Sequence, residues 1–81
     1  MLIITWDEII RHNKSDDCWI VANNYVYDAT NFIKLHPGGQ ESIIRKAGTD
    51  CTYDYNFHST KSKEYWKRYR IGKIEDNCII L

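Results

Sequence analysis

The sequence predicts an α+β domain, a small mixed β-sheet with two helical hairpins that close into a cup. Three observations carry that reading. Cys18-Trp19-Ile20-Val21 and Tyr25-Val26-Tyr27-Asp28 are short runs rich in β-branched and aromatic residues. They are joined through Asn23-Asn24, a pair that tolerates positive φ, so they read as a β-hairpin. From Gln40 to Tyr69 the pattern changes to short helical runs punctuated by Gly48 and by Ser, Thr and Asp. Between the two halves stands His36-Pro37-Gly38-Gly39, where proline fixes φ and two glycines let the backbone bend and be approached closely. Such a turn can aim one imidazole in one direction.

Taken in order, Leu2-Ile3-Ile4 reads as a short edge strand. Thr5-Trp6-Asp7-Glu8 has the form of a capping box, with the Thr5 oxygen accepting from the Glu8 amide and Glu8 reaching back. Ile9 and Ile10 then supply the inward face of a short helix that ends near His12-Asn13, and Asn13 to Asp17 is a polar loop. His12 reads as a surface or capping histidine. After the hairpin, Asp28 or Thr30 can cap a brief helical turn carrying Phe32 and Ile33. Gln40 to Ala47 is helical, with Ile43, Ile44 and Ala47 on one face, and Gly48 stands where a glycine ends a helix. Thr49 or Asp50 caps the next helix, to about Phe57, thick with Tyr53, Tyr55 and Phe57. Ser59 or Thr60 caps a further helix, Lys61 to Tyr69, with Tyr65, Trp66 and Tyr69 as its apolar face. Arg70 to Ile74 is a final strand. The two hairpins of the cup are thus about 40–57 and 58–69, with residues 1–75 forming the domain and 76–81 a tail.

Eighty-one residues make one domain, and a core of this size gives roughly 3–5 kcal/mol of net stability. Small chains of this kind often rely on disulfides, a metal or a buried cofactor. With 43% hydrophobic and 27% charged residues the composition is that of a folded globule rather than a disordered chain. A formal net charge of zero removes global electrostatic support for nucleic-acid binding. Residues 59–73 nevertheless carry Lys61, Lys63, Lys67, Arg68, Arg70 and Lys73 against Glu64 alone. That excess is either a solvated helix face or an attraction to an acidic partner or an anionic membrane. Cys18, Cys51 and Cys78 are odd in number and match no zinc or Cys-x-x-Cys spacing, so they read as reduced thiols, with Cys18 and Cys51 as small buried apolar residues. No signal peptide is visible, and no run approaches the roughly 18–20 apolar residues of a membrane span.

An ordered series of short motifs resembles the cytochrome b5 family. It comprises Cys18-Trp19-Ile20-Val21, Val26-Tyr27-Asp28 with Thr30 and Phe32, His36-Pro37-Gly38-Gly39, Ala47-Gly48-Thr49-Asp50-Cys51-Thr52, His58-Ser59-Thr60 and Ile71-Gly72-Lys73-Ile74. Together these span about Thr5 to Glu75. The resemblance implies a cytochrome b5-like haem cup holding haem b (iron protoporphyrin IX) without covalent attachment, with His36 and His58 as axial ligands. Imidazole ligates haem iron well, and two such ligands close the coordination sphere. The chain has no Cys-x-x-Cys-His for c-type attachment. By the same resemblance Phe32 and Ile43 line one side of the haem, and Tyr55, Tyr65 and Phe57 the other. Tyr55 stands where the family usually has Phe, and its hydroxyl needs a partner or water. Ser59 either hydrogen-bonds a propionate or caps the following helix. The stretch from Gly48 to His58 is slightly shorter than is usual in the family, and each residue lost from a helix turns the next side chain by about 100°.

The function this implies is that of a monomeric single-electron carrier without catalysis of its own, working between a reductase and an acceptor such as a desaturase or oxygenase. A b5-like ligand-binding or regulatory module without redox duty is the alternative. A zinc site of His36, His58 and Cys51 would lack a fourth ligand. Mixed charge from Glu41, Asp50, Asp54, Arg45 and Lys46 would steer docking weakly. The tail Cys78-Ile79-Ile80-Leu81 has the C-a-a-X form, and a final Leu favours geranylgeranyl on Cys78. A prenyl group with the basic 61–73 stretch would supply the two signals of stable anchoring. The other reading is that the three apolar residues pack on the domain. The expected location is the cytoplasm, with the cytosolic face of a membrane if Cys78 is prenylated. The starting Met and C-a-a-X ending lead to the expectation that the chain is whole.

Overall fold

A computed structural model describes residues 2–34, 40–57 and 59–75, with Lys34 and Gln40 described by backbone alone. His36, Pro37, Gly38, Gly39, His58 and Cys78 lie outside the described residues. The strands are β1 (Leu2–Ile4), β2 (Asn13–Lys14), β3 (Asp17–Ala22), β4 (Tyr25–Asp28) and β5 (Arg70–Ile74), and the helices are α1 (Trp6–Ile9), α2 (Thr30–Lys34), α3 (Gln40–Arg45), α4 (Thr52–Asn56) and α5 (Thr60–Trp66). A 3-10 turn over Lys67–Tyr69 leads from α5 into β5. The sheet order is β1-β5-β4-β3-β2. β1 runs parallel to β5 and the other pairs are antiparallel, so the sheet is mixed, as expected.

The hairpin between β3 and β4 turns on Asn23 (φ 51°) and Asn24 (φ 70°), both left-handed as a type I′ turn requires. Period-two alternation in its strands divides the core. Cys18, Ile20, Ala22 and Tyr27 face the helices α2–α5 together with Phe32, Ile33, Ala47, Cys51, Tyr55 and Trp66. Val21 and Val26 face the other way, onto Ile4 and Ile9. The helices of the cup therefore lie on one face of the sheet and α1 on the other.

Local chemistry sets the helix ends. The Thr5 side chain accepts from the Glu8 amide, as the capping box requires. Glu8 does not reach back; its carboxylate pairs forward with Arg11 and His12. α1 is a single turn, and only Ile9 is buried while Ile10 is 53% exposed. β2 departs from the polar loop expected there, because Asn13 and Lys14 pair with Cys18 and Asp17 across a tight turn. The Asp28 carboxylate accepts from both the amide and the hydroxyl of Thr30, which starts α2, and Thr30 Oγ1 accepts from the Cys18 amide. α3 ends at Arg45, short of the expected Ala47, and α4 ends near Phe57 as expected but starts at Thr52, behind Cys51 without a side-chain cap, instead of after Thr49 or Asp50. Ser59 caps α5, accepting from the Ser62 amide.

Candidate cofactor site

The cup is held open by hydrogen bonds from β3 to the link between α3 and α4. Gly48 N–H donates to the Trp19 carbonyl, Val21 N–H to Thr49, and Cys51 N–H to Val21. Gly48 itself has φ 74°, where a side chain would be strained, and an added Cβ would lie 3.2 Å from Asn13 Cβ. At the hairpin tip, Asn23 N–H donates to Thr52 Oγ1 and the Asn23 amide to Asn56, which fixes α4 over the sheet. These ties set the spacing of α3 and α4 before any cofactor is considered.

Between the helices lies a cavity of about 450 Å³, within the usual size of a small-molecule or cofactor site. Its walls are apolar where the sheet and helices meet, with Ile20, Phe32, Ile43, Cys51, Tyr55 and Trp66, and charged where Arg45, Lys46 and Asp54 stand. Phe32 packs on Trp66 with ring centroids 4.2 Å apart, and Tyr55 lies 5.6 Å from Tyr27. The Tyr55 hydroxyl donates to the Lys63 carbonyl at a long 3.5 Å. Burial, with a hydrogen bond to Tyr27, pushes its pKa up to about 12, so it stays a neutral phenol. The charged groups are partly paired: Arg45 lies 3.7 Å from Glu41 and Lys46 3.2 Å from Asp54.

Of the residues expected at the haem, Phe32, Ile43 and Tyr55 line this cavity. Tyr65 is 38% exposed and leans on Phe32 at 5.8 Å. Phe57 is 73% exposed and packs edge-on against Tyr53 instead of turning inward. α4 is short, and with Tyr55 facing the sheet, residues two positions away on either side are carried to the outside. Ser59 spends its oxygen on the α5 amide of Ser62, which is its capping role. Ile20, Cys51 and Trp66 also line the cavity, beyond the residues the resemblance implies. The alternation of β3 places Ile20 with Cys18 and Ala22, a signal the sequence does carry; Trp66 is legible in it only as the buried face of α5.

Cys18 and Cys51 are free and buried. Burial, reinforced by neighbouring carboxylates, pushes both thiols up to about 11. Thiols so reluctant to ionise are poor nucleophiles, which fits Cys18 and Cys51 as small buried apolar residues. Among the described residues no group of three or more His, Cys, Asp and Glu could hold a metal ion.

These features define a class: a small α+β domain whose helices wall an apolar cavity against one face of a sheet, suited to a flat, largely apolar cofactor. The sequence pattern described as Cytochrome b5-like Heme/Steroid binding domain matches residues 5–75. The fold is similar to that of cytochrome b5 of Ostreococcus tauri virus 2, with a TM-score of 0.79 and 32% identity over 88% of this chain and 94% of that one. It is also similar to cytochrome b558 of Ectothiorhodospira vacuolata, a prokaryotic homologue of cytochrome b5, with a TM-score of 0.81 and 26% identity over 90% and 98% of the two chains. Among curated proteins, inducible NADH nitrate reductase 2 of Glycine max is 47% identical over 91% of this chain, and NADH nitrate reductase of Cichorium intybus 45% over 90%. The chain spans only 8% of the length of these reductases.

The chain belongs to the cytochrome b5-like haem/steroid binding family. It is a haem-binding domain, and its cofactor is haem b. The residues present fit that group: aromatic and aliphatic walls suit the faces of a porphyrin, and the charged groups stand apart from them at Arg45, Lys46 and Asp54.

Proposed function

We propose that the domain is a single-electron carrier in which His36 and His58 ligate the haem iron from opposite sides. One observation carries the reading. Each histidine falls in the chain between elements that line the same cavity: His36 between α2 and α3, which contribute Phe32 and Ile43, and His58 between α4 and α5, which contribute Tyr55 and Trp66. Haem supplies a one-electron iron couple. Two imidazoles would occupy both axial positions, leaving no place for oxygen or substrate, so the protein moves electrons and nothing else. The buried aromatic walls exclude water, and the neutral Tyr55 phenol adds no charge beside the cofactor. A reductase and an acceptor such as a desaturase or oxygenase are the partners this chemistry calls for. The similarity to enzymes named as NADH nitrate reductases, of which the matched stretch is a small part, fits a module that relays electrons to a larger redox system.

The same apolar cavity would also admit a sterol-like ligand, the function of a non-redox module. The histidine pair favours haem, because a flat apolar ligand without a metal has no use for two imidazoles. Purified protein given haemin and reduced with dithionite is expected to show a sharp Soret band and split α and β bands that carbon monoxide leaves unchanged. A carbon monoxide shift would mean an open axial position, and a colourless product would overturn haem binding itself.

A further inference from the structure

The two faces of the sheet differ in charge as well as in packing. On the face away from the cavity, α1 carries Asp7 and Glu8 while burying Ile9, with Glu8 paired to Arg11 and His12. On the cavity face, α5 buries Trp66, and Lys61 of α5 with Lys67 and Arg68 of the 3-10 turn after it are all exposed. Lys67 is matched by Glu64 at 3.0 Å. One further cation reaches the cavity wall: Lys63 Nζ lies 6.0 Å from the Tyr55 ring, while Arg68 stands 5.4 Å over Tyr65, outside the cavity lining. The acids on this face are engaged, Glu41 with Arg45, Asp54 with Lys46, and Asp50 with the Thr52 amide. A molecule of zero net charge thus has a positive side, and that side borders the cavity. A charge asymmetry of this kind orients an approaching partner before contact and speeds its capture in the right pose.

We propose that the exposed face of α5 with its 3-10 extension, through Lys61, Lys67 and Arg68, is the docking surface for an acidic redox protein. The inference rests on the electron-carrier reading above and names the partner for that same site. One electron passes from the reduced partner to ferric haem iron, or back from ferrous iron to an oxidised partner, with no bond made or broken. A protein occupant is favoured over an anionic membrane because the basic face borders the cavity, where an electron partner must approach.

The test uses the haemin-loaded full chain and stopped-flow mixing with two reductants: reduced plant-type ferredoxin as an acidic protein probe and photoreduced lumiflavin as a neutral one. Reduction by ferredoxin is expected to slow about tenfold or more from low to high salt, and lumiflavin reduction to be insensitive to salt. Lys61→Glu, Lys67→Glu and Arg68→Glu together are expected to slow the ferredoxin reaction about tenfold at low salt, leaving the absorption spectrum and the lumiflavin rate unchanged. The gentler Lys61→Gln, Lys67→Gln and Arg68→Gln set gives the same direction if the reversed set folds poorly. A ferredoxin rate indifferent to salt and to both sets, with lumiflavin still active, overturns the docking surface. If phosphatidylserine vesicles then sediment the protein through the same lysines, the face is a membrane site. Failure of both reductants would instead overturn the electron-carrier reading.

Discussion

Gly72 of β5 sits where the parallel strand β1 comes closest. A Cβ there would lie 2.8 Å from the Leu2 carbonyl oxygen and 2.7 Å from Ile4 Cδ1, and the backbone contact cannot give way cheaply. Gly72→Ala is expected to cost about 1–3 kcal/mol in urea unfolding; an unchanged midpoint would mean that β1 is not paired as described. His12 is a second informative residue. Its ring stacks on Trp19 at 3.6 Å, Nδ1 meets Asp17 at 2.6 Å and Nε2 meets Glu8 at 2.8 Å. Partial burial lowers its pKa, but the hydrogen bonds to Asp17 and Glu8 and their negative charge outweigh that, and the net shift is upward from 6.5. A group whose folded pKa is raised stabilises fully below its unfolded pKa, and the gain fades as pH rises through the folded value. The stability lost in His12→Gln should therefore be larger near about pH 6 than near about pH 8, as read by urea unfolding at both; an equal or reversed difference would contradict the clamp. From sequence His12 reads as surface or capping, because its partners Asp17 and Trp19 reach it only through the unexpected β2–β3 pairing.

At the scale of elements, what is written in local chemistry was legible and what depends on packing was not. The Asn23-Asn24 turn, the strands on either side, Gly48 at positive φ and the Thr5 and Ser59 caps all result from residues acting on their near neighbours. The lengths of α3 and α4 do not, because they are set by hydrogen bonds from β3 to Thr49 and Cys51 and from Asn23 to α4. Phe57, two positions from Tyr55 on a helical backbone, turns outward, while Tyr55 keeps its place in the cavity wall. The Ser59 oxygen is committed to the start of α5, so Ser59→Ala is expected to lose about 1 kcal/mol by denaturant unfolding of the apoprotein. A loss seen only in the haem-loaded protein would point to the propionate instead.

For the whole molecule, the mixed sheet divides two tasks. Its far face is closed by Ile4, Ile9, Val21 and Val26, and its near face is left with a cavity of about 450 Å³ inside an 81-residue chain. A cavity of that size is a large fraction of so small a core, so the cofactor should complete the fold. Haemin at about a hundred times its dissociation constant is expected to add about 2.7 kcal/mol, visible as a rise in the thermal midpoint; a fixed midpoint would mean that haem does not occupy the cup. The family and the general shape of that cup were readable from the ordered motifs, since they span most of the chain. The walls contributed by Ile20, Cys51 and Trp66 emerge only once sheet and helices are brought together.

Electron paramagnetic resonance of the ferric, haemin-loaded protein asks the central question most directly, because the iron spin state reports its axial ligands. A purely low-spin ferric signal, lost on His36→Ala and on His58→Ala separately, is the expected result. A high-spin signal in the unaltered protein, or a low-spin signal that survives either substitution, would contradict two-histidine ligation and the electron-carrier function built on it.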